Sequence, residues 1–285
     1  MCDPVEAARN EAGDEYGVTA RYASIDEMLD SDALDAVIIA TPAHLNAVAA
    51  LPFLERGVDT LLEKPPGMSL SETIVLRDTA NRTGAKAMVG WQRRFHPMVV
   101  RARELIEERG PVVQLVGEFH KSMTRVEASG RHSEIVMDNM LLETPIHAID
   151  LVRAVATSDV VEVHSVVRRA FSRYKDVHAA LIVFESGCVA QITANYTTDA
   201  RLQRYEFHGR DISAYLEGIS EGVVVSDGKQ VKLEDPVGSG GGMELDRYFI
   251  DCVVEDRPVS LPAADLDEAV KTMELIEAIQ GGLRE

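Results

Sequence analysis

The stretch AVIIATPAHLN (residues 36–46), followed by VDTLLEKPP (residues 58–66), decides the fold. Ala36–Ala40 is an unbroken apolar run of strand length, the pattern of a parallel strand covered on both faces. Thr41-Pro42 ends it, and a helix is expected from about Leu45 to Arg56, stopped by Gly57. Val58–Leu62 reads as the next strand. Ser69-Leu70-Ser71-Glu72 is a capping box opening a helix that runs to Thr83, with Gly84 behind it, and Lys86–Trp91 is a further strand. Strand, helix, strand, helix, strand in this order implies a right-handed, parallel, doubly wound sheet. Upstream, Asp3-Pro4 opens a helix to about Tyr16, and Ser24-Ile25-Asp26-Glu27 forms another capping box.

Beyond a helix expected over Pro97–Arg109 the texture changes. Strands are read at Val112–Phe119, Val161–Ala170, Ala179–Phe184, Cys188–Tyr196, Tyr205–His208, Ser213–Glu217 and Val223–Val225. One helix interrupts them near Leu141–Ala156. Two more close the chain, at about Glu244–Glu255 and Ala263–Ile279, behind a flexible loop at Gly238–Gly242. The expected fold class is therefore α/β, a doubly wound parallel domain over residues 1–95, with an α+β domain on a mostly antiparallel sheet over 96–285.

Composition narrows the function classes. The 285 residues carry a formal net charge of −18, and Lys and Arg are scattered rather than gathered in a stripe, which argues against a nucleic-acid groove or an anionic membrane surface. No apolar run reaches membrane-spanning length, and no basic-then-apolar leader opens the sequence, so a cytoplasmic protein is expected. Three cysteines, Cys2, Cys188 and Cys252, give neither a disulfide framework nor a zinc ribbon.

Three clusters could carry chemistry. Thr41, Pro42 and His44 follow the first strand, where open parallel sheets bind ligands; Thr-Pro could equally do no more than end the strand. Glu63-Lys64-Pro65-Pro66 follows the second strand. An ammonium there, in a dry cleft, can polarise a hydroxyl or carbonyl and exchange protons near neutral pH; the alternative is a solvated turn. Glu143, His147 and Asp150 are spaced i, i+4, i+7, so a helix would put all three on one face. That suits acid–base work, a divalent metal or an ordinary polar face, with the metal ranked below catalysis for want of a fourth ligand.

Taken together, AVIIATPAHLN, LLEKPPGMS, the segment Gly90-Trp91-Gln92-Arg93-Arg94-Phe95 and the tetrad His147-Ala148-Ile149-Asp150 resemble the Gfo/Idh/MocA family of glucose–fructose oxidoreductases and inositol dehydrogenases. The resemblance covers nearly the whole chain. It implies a Rossmann domain followed by a domain on an open, mostly antiparallel sheet, and oxidation of a sugar, inositol or polyol hydroxyl with NAD, NADP being possible. Lys64, His147 and Glu143 would be catalytic. Asp150, Arg94 and Tyr196 would face the substrate. Asp3, Thr41, Pro42, His44, Glu63, Lys64, Gln92 and Arg93 would contact the dinucleotide, with no metal. A homo-oligomer, dimer or tetramer, is also implied. Two departures stand out: Asp138-Asn139 occupies the family's Gly-Gly position, and Glu143 replaces Asp. Ala43 and Asn46, moreover, stand where the family has its Asn-His after Thr-Pro.

A third departure is at the beginning. No G-x-G-x-x-G occurs in the sequence, and Met1-Cys2-Asp3 resembles the end of a second Rossmann strand, which puts Asp3 at the adenosine ribose. The reading frame is therefore expected to begin upstream; the alternative is a genuine truncation with an exposed sheet edge. Competing functions are a ligand-sensing relative that has lost dinucleotide binding, a metal-assisted lyase or isomerase, and redox-neutral chemistry on tightly held NAD.

Overall fold

The computed structural model describes residues 1–31, 34–218, 220–236 and 238–284. Its first unit is a parallel three-stranded sheet, β1 (Ala36–Ile39), β2 (Asp59–Leu62) and β3 (Ala87–Val89), in that spatial order. Ahead of it lie α1 (Glu6–Glu15) and α2 (Ile25–Ser31); between its strands run α3 (Asn46–Glu55) and α4 (Leu70–Thr83). Ser69 caps α4 as expected, while the return bond of the capping box falls one residue earlier, on Met68. The Ser69 hydroxyl accepts from the Glu72 N–H at 3.2 Å, the Glu72 carboxylate accepts from the Met68 N–H at 2.6 Å, and Gly84 ends the helix at φ 79°. Cys2 pairs in parallel with Tyr22 as an isolated bridge, as the expected strand remnant requires.

One expectation fails here. β2 and β3 are buried throughout, but Ile38 of β1 is 54% exposed, so the AVIIA run is not covered on both faces. Among the named strands β1 is the sheet's edge, and an edge strand packs against fewer neighbours.

The second unit begins with α5 (Pro97–Glu107) and centres on an eight-stranded sheet. Its strands are β4 (Gln114–Ser122), β5 (Val160–Arg168), β6 (Val177–Phe184), β7 (Val189–Asn195), β8 (Thr197–Gly209), β9 (Ile212–Glu217), β10 (Glu221–Ser226) and β11 (Lys229–Leu233), in the order β11-β10-β9-β8-β4-β7-β6-β5. Every pairing is antiparallel except β4 with β7. Polar β11 and the short helices α6 (Met123–Ser129) and α7 (Glu134–Met137) are additions to the sequence reading, and β8 is far longer than the four residues expected. The remaining helices are α8 (Ile146–Ala156), α9 (Gly242–Val254) and α10 (Leu266–Gln280).

Two glycines set how closely these parts approach. A Cβ on Gly117 of β4 would lie 2.8 Å from Ile192 Cδ1 and 3.3 Å from Ala148 and Val152, so its absence lets α8 lie low on the sheet. Gly241, at φ 89°, is the N-cap of α9, and a Cβ there would come within 2.2 Å of the Gln92 carbonyl oxygen. Of the Gly238–Gly242 segment, expected as a flexible loop, Gly240 and Gly241 are thus buried in a packed joint, while Gly238 stays exposed. At the far end α10 lies against α4, and Ala264 accepts from the Val89 N–H at 2.9 Å, which returns the chain to the first sheet.

Candidate active site

The carboxyl ends of β1 and β2 are latched together by a residue outside the candidate set. Asn46, fully buried at the start of α3, donates to the Glu63 and Pro65 carbonyls at 2.9 and 2.8 Å and accepts from the Thr41 hydroxyl at 2.8 Å. One side chain therefore fixes Thr41 and the turn carrying Lys64 in a single frame. The Glu63 carboxylate accepts from the Lys64 N–H at 3.2 Å, and the Lys64-Pro65 peptide is cis.

From that turn Lys64 reaches the second domain: its ammonium donates to the Glu143 carbonyl at 2.5 Å. Burial lowers the Lys64 pKa, opposed by the Glu143 and Glu63 carboxylates and helped by Lys121 and Arg93. Glu143 is itself crowded by partners. Its carboxylate accepts from Thr144 and, at 3.3 Å, from Lys121, with the His132 ring 3.9 Å away. Burial would raise its pKa, but the Thr144 hydrogen bond and the charges of Lys121, Lys64 and His132 outweigh that, and it is lowered. It is held as a carboxylate.

His147 stands one turn on, in the first turn of α8. It is 7% exposed, and its Nδ1 is buried with no hydrogen-bond partner. Its pKa is pushed well below the ordinary imidazole value, first by burial and then by the charges of Lys64, Arg93 and Arg201. The structure so brings together Lys64, Glu143 and His147, a buried cation, a carboxylate and a neutral imidazole, across the junction of the two units.

The third expected member is elsewhere, and the helix explains why. α8 begins at Ile146 with Pro145 as its N-cap, so Glu143 precedes the helix and the i, i+4, i+7 face does not exist as read. Asp150 is fully buried and takes a bidentate pair from Arg94, at 2.9 and 2.7 Å, and a third bond from the Thr272 hydroxyl at 3.1 Å. Arg94 also approaches Glu268, which pairs with Arg153. The assignment of Asp150 and Arg94 to substrate is revised accordingly: their charges are spent on a strut joining the 92–95 turn, α8 and α10. The Glu143–His147–Asp150 metal set loses its geometry for the same reason. Among the described residues no group of three His, Cys, Asp or Glu side chains is placed to hold a metal ion.

The other candidates divide. Tyr196 is buried, its hydroxyl donating to the Met140 carbonyl at 3.1 Å, and burial, then the Glu143 charge, raises its pKa well above the usual phenol value. His44 sits with Nδ1 3.5 Å from the Ser133 hydroxyl, bridging the end of β1 and the start of α7. Gln92 begins the 3-10 turn Gln92–Phe95 and is half-buried. Arg93, expected at the dinucleotide, lies among second-domain groups, within 3.5 Å of the Gly240 carbonyl and beside the Tyr205 hydroxyl. Asp3 accepts from the Val5 N–H at 2.7 Å ahead of α1. Asp138, at the family's Gly-Gly position, pairs with Arg169 and Lys175 at 3.6 Å.

Comparison with known proteins follows the same division of the chain. Residues 1–91 match the family described as an oxidoreductase family with an NAD-binding Rossmann fold, and residues 99–215 match the GFO/IDH/MocA C-terminal domain. A D-xylose 1-dehydrogenase (NADP(+)) from Haloferax volcanii is 26% identical over 299 residues, covering 96% of this chain and 86% of that protein. An inositol 2-dehydrogenase from Corynebacterium glutamicum is 30% identical over 200 residues, covering 67% of this chain and 57% of that protein. The fold is shared with a UDP-N-acetylglucosamine 3-dehydrogenase from Acidithiobacillus ferrooxidans, with a TM-score of 0.81 at 19% identity over 99% of this chain and 88% of that one.

Proposed function

The chain belongs to the Gfo/Idh/MocA oxidoreductase family, and from that premise we propose that it transfers a hydride between a nicotinamide dinucleotide and a hydroxyl or ketone carbon of a sugar, inositol or related polyol. The observation that carries this reading is the convergence of Lys64, from the first domain, with Glu143 and His147, from the second, in a buried setting.

Each group has a task its environment favours. His147, kept neutral, can accept the proton of a substrate hydroxyl. Lys64, held on the Glu143 carbonyl, places positive charge where an alkoxide develops, and burial strengthens that interaction. Glu143 orients Lys121 and keeps the local charge balanced.

A dinucleotide fits the groups present at its nicotinamide end. Thr41 and the Lys64 turn are pre-set by Asn46, and the His147 ring, on which the Lys64 charge acts, has its Nδ1 buried with no hydrogen-bond partner. Bound there, the nicotinamide would supply the hydride acceptor or donor. Asp3, Thr41, Pro42, His44, Glu63, Lys64 and Gln92 are the proposed contacts, with NAD favoured by Asp3 and NADP possible. No G-x-G-x-x-G, the pattern that cradles a pyrophosphate, occurs in the 285 residues.

The proposal extends to a cytoplasmic protein divided at residues 95 and 96, and to a homo-oligomer formed through the open face of the large sheet. The row Leu181, Gln191, Val116, Glu206, Tyr215, Val223 runs across six strands on that face, mixing apolar and polar side chains. Among the described residues no helix is long and apolar enough to cross a membrane.

The test is NAD(P) reduction, followed by absorbance, on a panel of aldoses, inositols and alditols. Lys64→Met and His147→Ala should each lower kcat by roughly 10²–10⁴-fold while the far-ultraviolet spectrum stays unchanged. Full activity in either variant would end the reading.

A further inference from the structure

The charge around His147 runs against the composition of the chain. The protein as a whole is strongly acidic, at −18, yet the charges that act on the buried imidazole are those of Lys64, Arg93 and Arg201, all positive. Lys121 and His132 add to the positive side; of the two carboxylates whose charge acts on Lys64, one is Glu63, its neighbour in the sequence, and the other is Glu143. The Glu143 oxygens are already engaged by Lys121 and Thr144.

Arg93 is the residue left over. It is 6% exposed, and its Nε is buried without a partner. Its contacts are the Gly240 carbonyl and the Tyr205 hydroxyl; among the described residues none is a carboxylate. A guanidinium buried without an opposite charge is expensive, and such sites persist where a charged ligand completes them. Arg201 leaves the same face of β8 as Gln203 and Tyr205, the tyrosine that Arg93 meets, and its charge acts on both Arg93 and His147. It sits on β8 with its guanidinium carbon 5.8 Å from the centre of the Phe119 ring, which in turn packs 6.5 Å from Tyr196, and it is exposed. One arginine is therefore buried and one is exposed, and the charges of both act on the imidazole.

We propose that the substrate is an anionic sugar or polyol, its carboxylate or phosphate seated against Arg93 and Arg201 beside His147. This rests on the dehydrogenase reading for the reaction, and adds to it the class of molecule the site selects. A cationic pocket on a negatively charged body focuses the field into the site and draws anions there while the rest of the surface repels them. The anion supplies the charge that Arg93 lacks, and its distance from the reacting carbon is set by the separation of the arginines from Lys64.

The experiment compares glucose with glucuronate and with glucose 6-phosphate, using the whole chain. Binding is read by titration calorimetry and turnover by NAD(P) reduction. Glucuronate or glucose 6-phosphate should bind at least roughly tenfold more tightly than glucose, the scale of one charge-assisted hydrogen bond. Arg201→Gln, at an exposed position, should reduce that acid-to-neutral ratio about tenfold, and Arg93→Gln should reduce it further. The two acids separate a carboxylate seat from a phosphate seat. Equal binding of acid and neutral sugars, or a ratio untouched by Arg201→Gln, overturns the inference; turnover of glucose in that case leaves the dehydrogenase reading standing. Arginine-dependent binding of an acid without any cofactor reduction on the whole sugar panel upholds the anion seat and removes the dehydrogenase reading instead.

Discussion

Arg93 and Arg94 are adjacent in the sequence, belong to the same 3-10 turn and are almost equally buried, at 6% and 3% exposure. Their surroundings are opposite. Burial lowers the pKa of both; around Arg94 the charges of Asp150 and Glu268 more than reverse that, whereas Arg93 has only the Tyr205 hydroxyl to oppose it and remains lowered. One guanidinium is completed by the fold and is structural. Its neighbour is left without a carboxylate partner, and its charge acts on His147. A buried charge is thus informative through its partners rather than through its burial.

The sharpest way to break this comparison is to unpair Arg94. Asp150→Asn removes the bidentate counter-charge and leaves the guanidinium only its 3.3 Å contact with Glu268, and should cost about 3 kcal/mol of unfolding free energy, read as a lowered urea midpoint. A loss below about 1 kcal/mol would remove Asp150 from the strut. A smaller effect is expected from an imidazole the fold keeps neutral. His178 on β6 is 2% exposed, and burial lowers its pKa to about 4. Between pH of about 6.5 and about 4 the unfolded chain binds a proton there that the folded chain does not. Stability should therefore fall as pH drops through that window, by on the order of 3 kcal/mol across it. His178→Asn should flatten the slope, whatever it does to the absolute stability; an unchanged slope would mean that other groups set it. Smallest of all should be the stability change in Arg93→Met, within about 1 kcal/mol of the parent, because no carboxylate is left unpaired by it. A loss as large as that of Asp150→Asn would show that the two arginines are alike after all.

Local patterns were legible where local physics decides them. The Ser69 cap, the strand–Thr-Pro–helix order and the Glu-Lys-Pro turn all follow from residues within a few positions of one another, and they placed Lys64 at a strand end. His147 was legible through its tetrad. What the sequence concealed depends on distant partners. Asp150 looked like a site residue because the 56 positions separating it from Arg94 hide their pairing. Glu143 looked helical because the spacing ignored Pro145, which moves the helix start to Ile146. Asn46 was noted only as a departure from the family pattern, although its amide joins two strand ends. The exposure of Ile38 was hidden too, since an apolar run does not reveal whether both faces have a neighbour.

Gly117 has a consequence for how such a pocket could be retuned. The bare α-carbon sets the altitude of α8 above the sheet, and the imidazole rides at that helix's leading end. Adding a single methyl would jack the helix upward by a few tenths of an ångström and carry His147, the proposed proton acceptor, with it. Because misplacement on the scale of 1 Å can cost about two orders of magnitude in rate, evolution or an engineer could detune this enzyme from the layer between sheet and helix, leaving Lys64, Glu143 and His147 themselves unchanged.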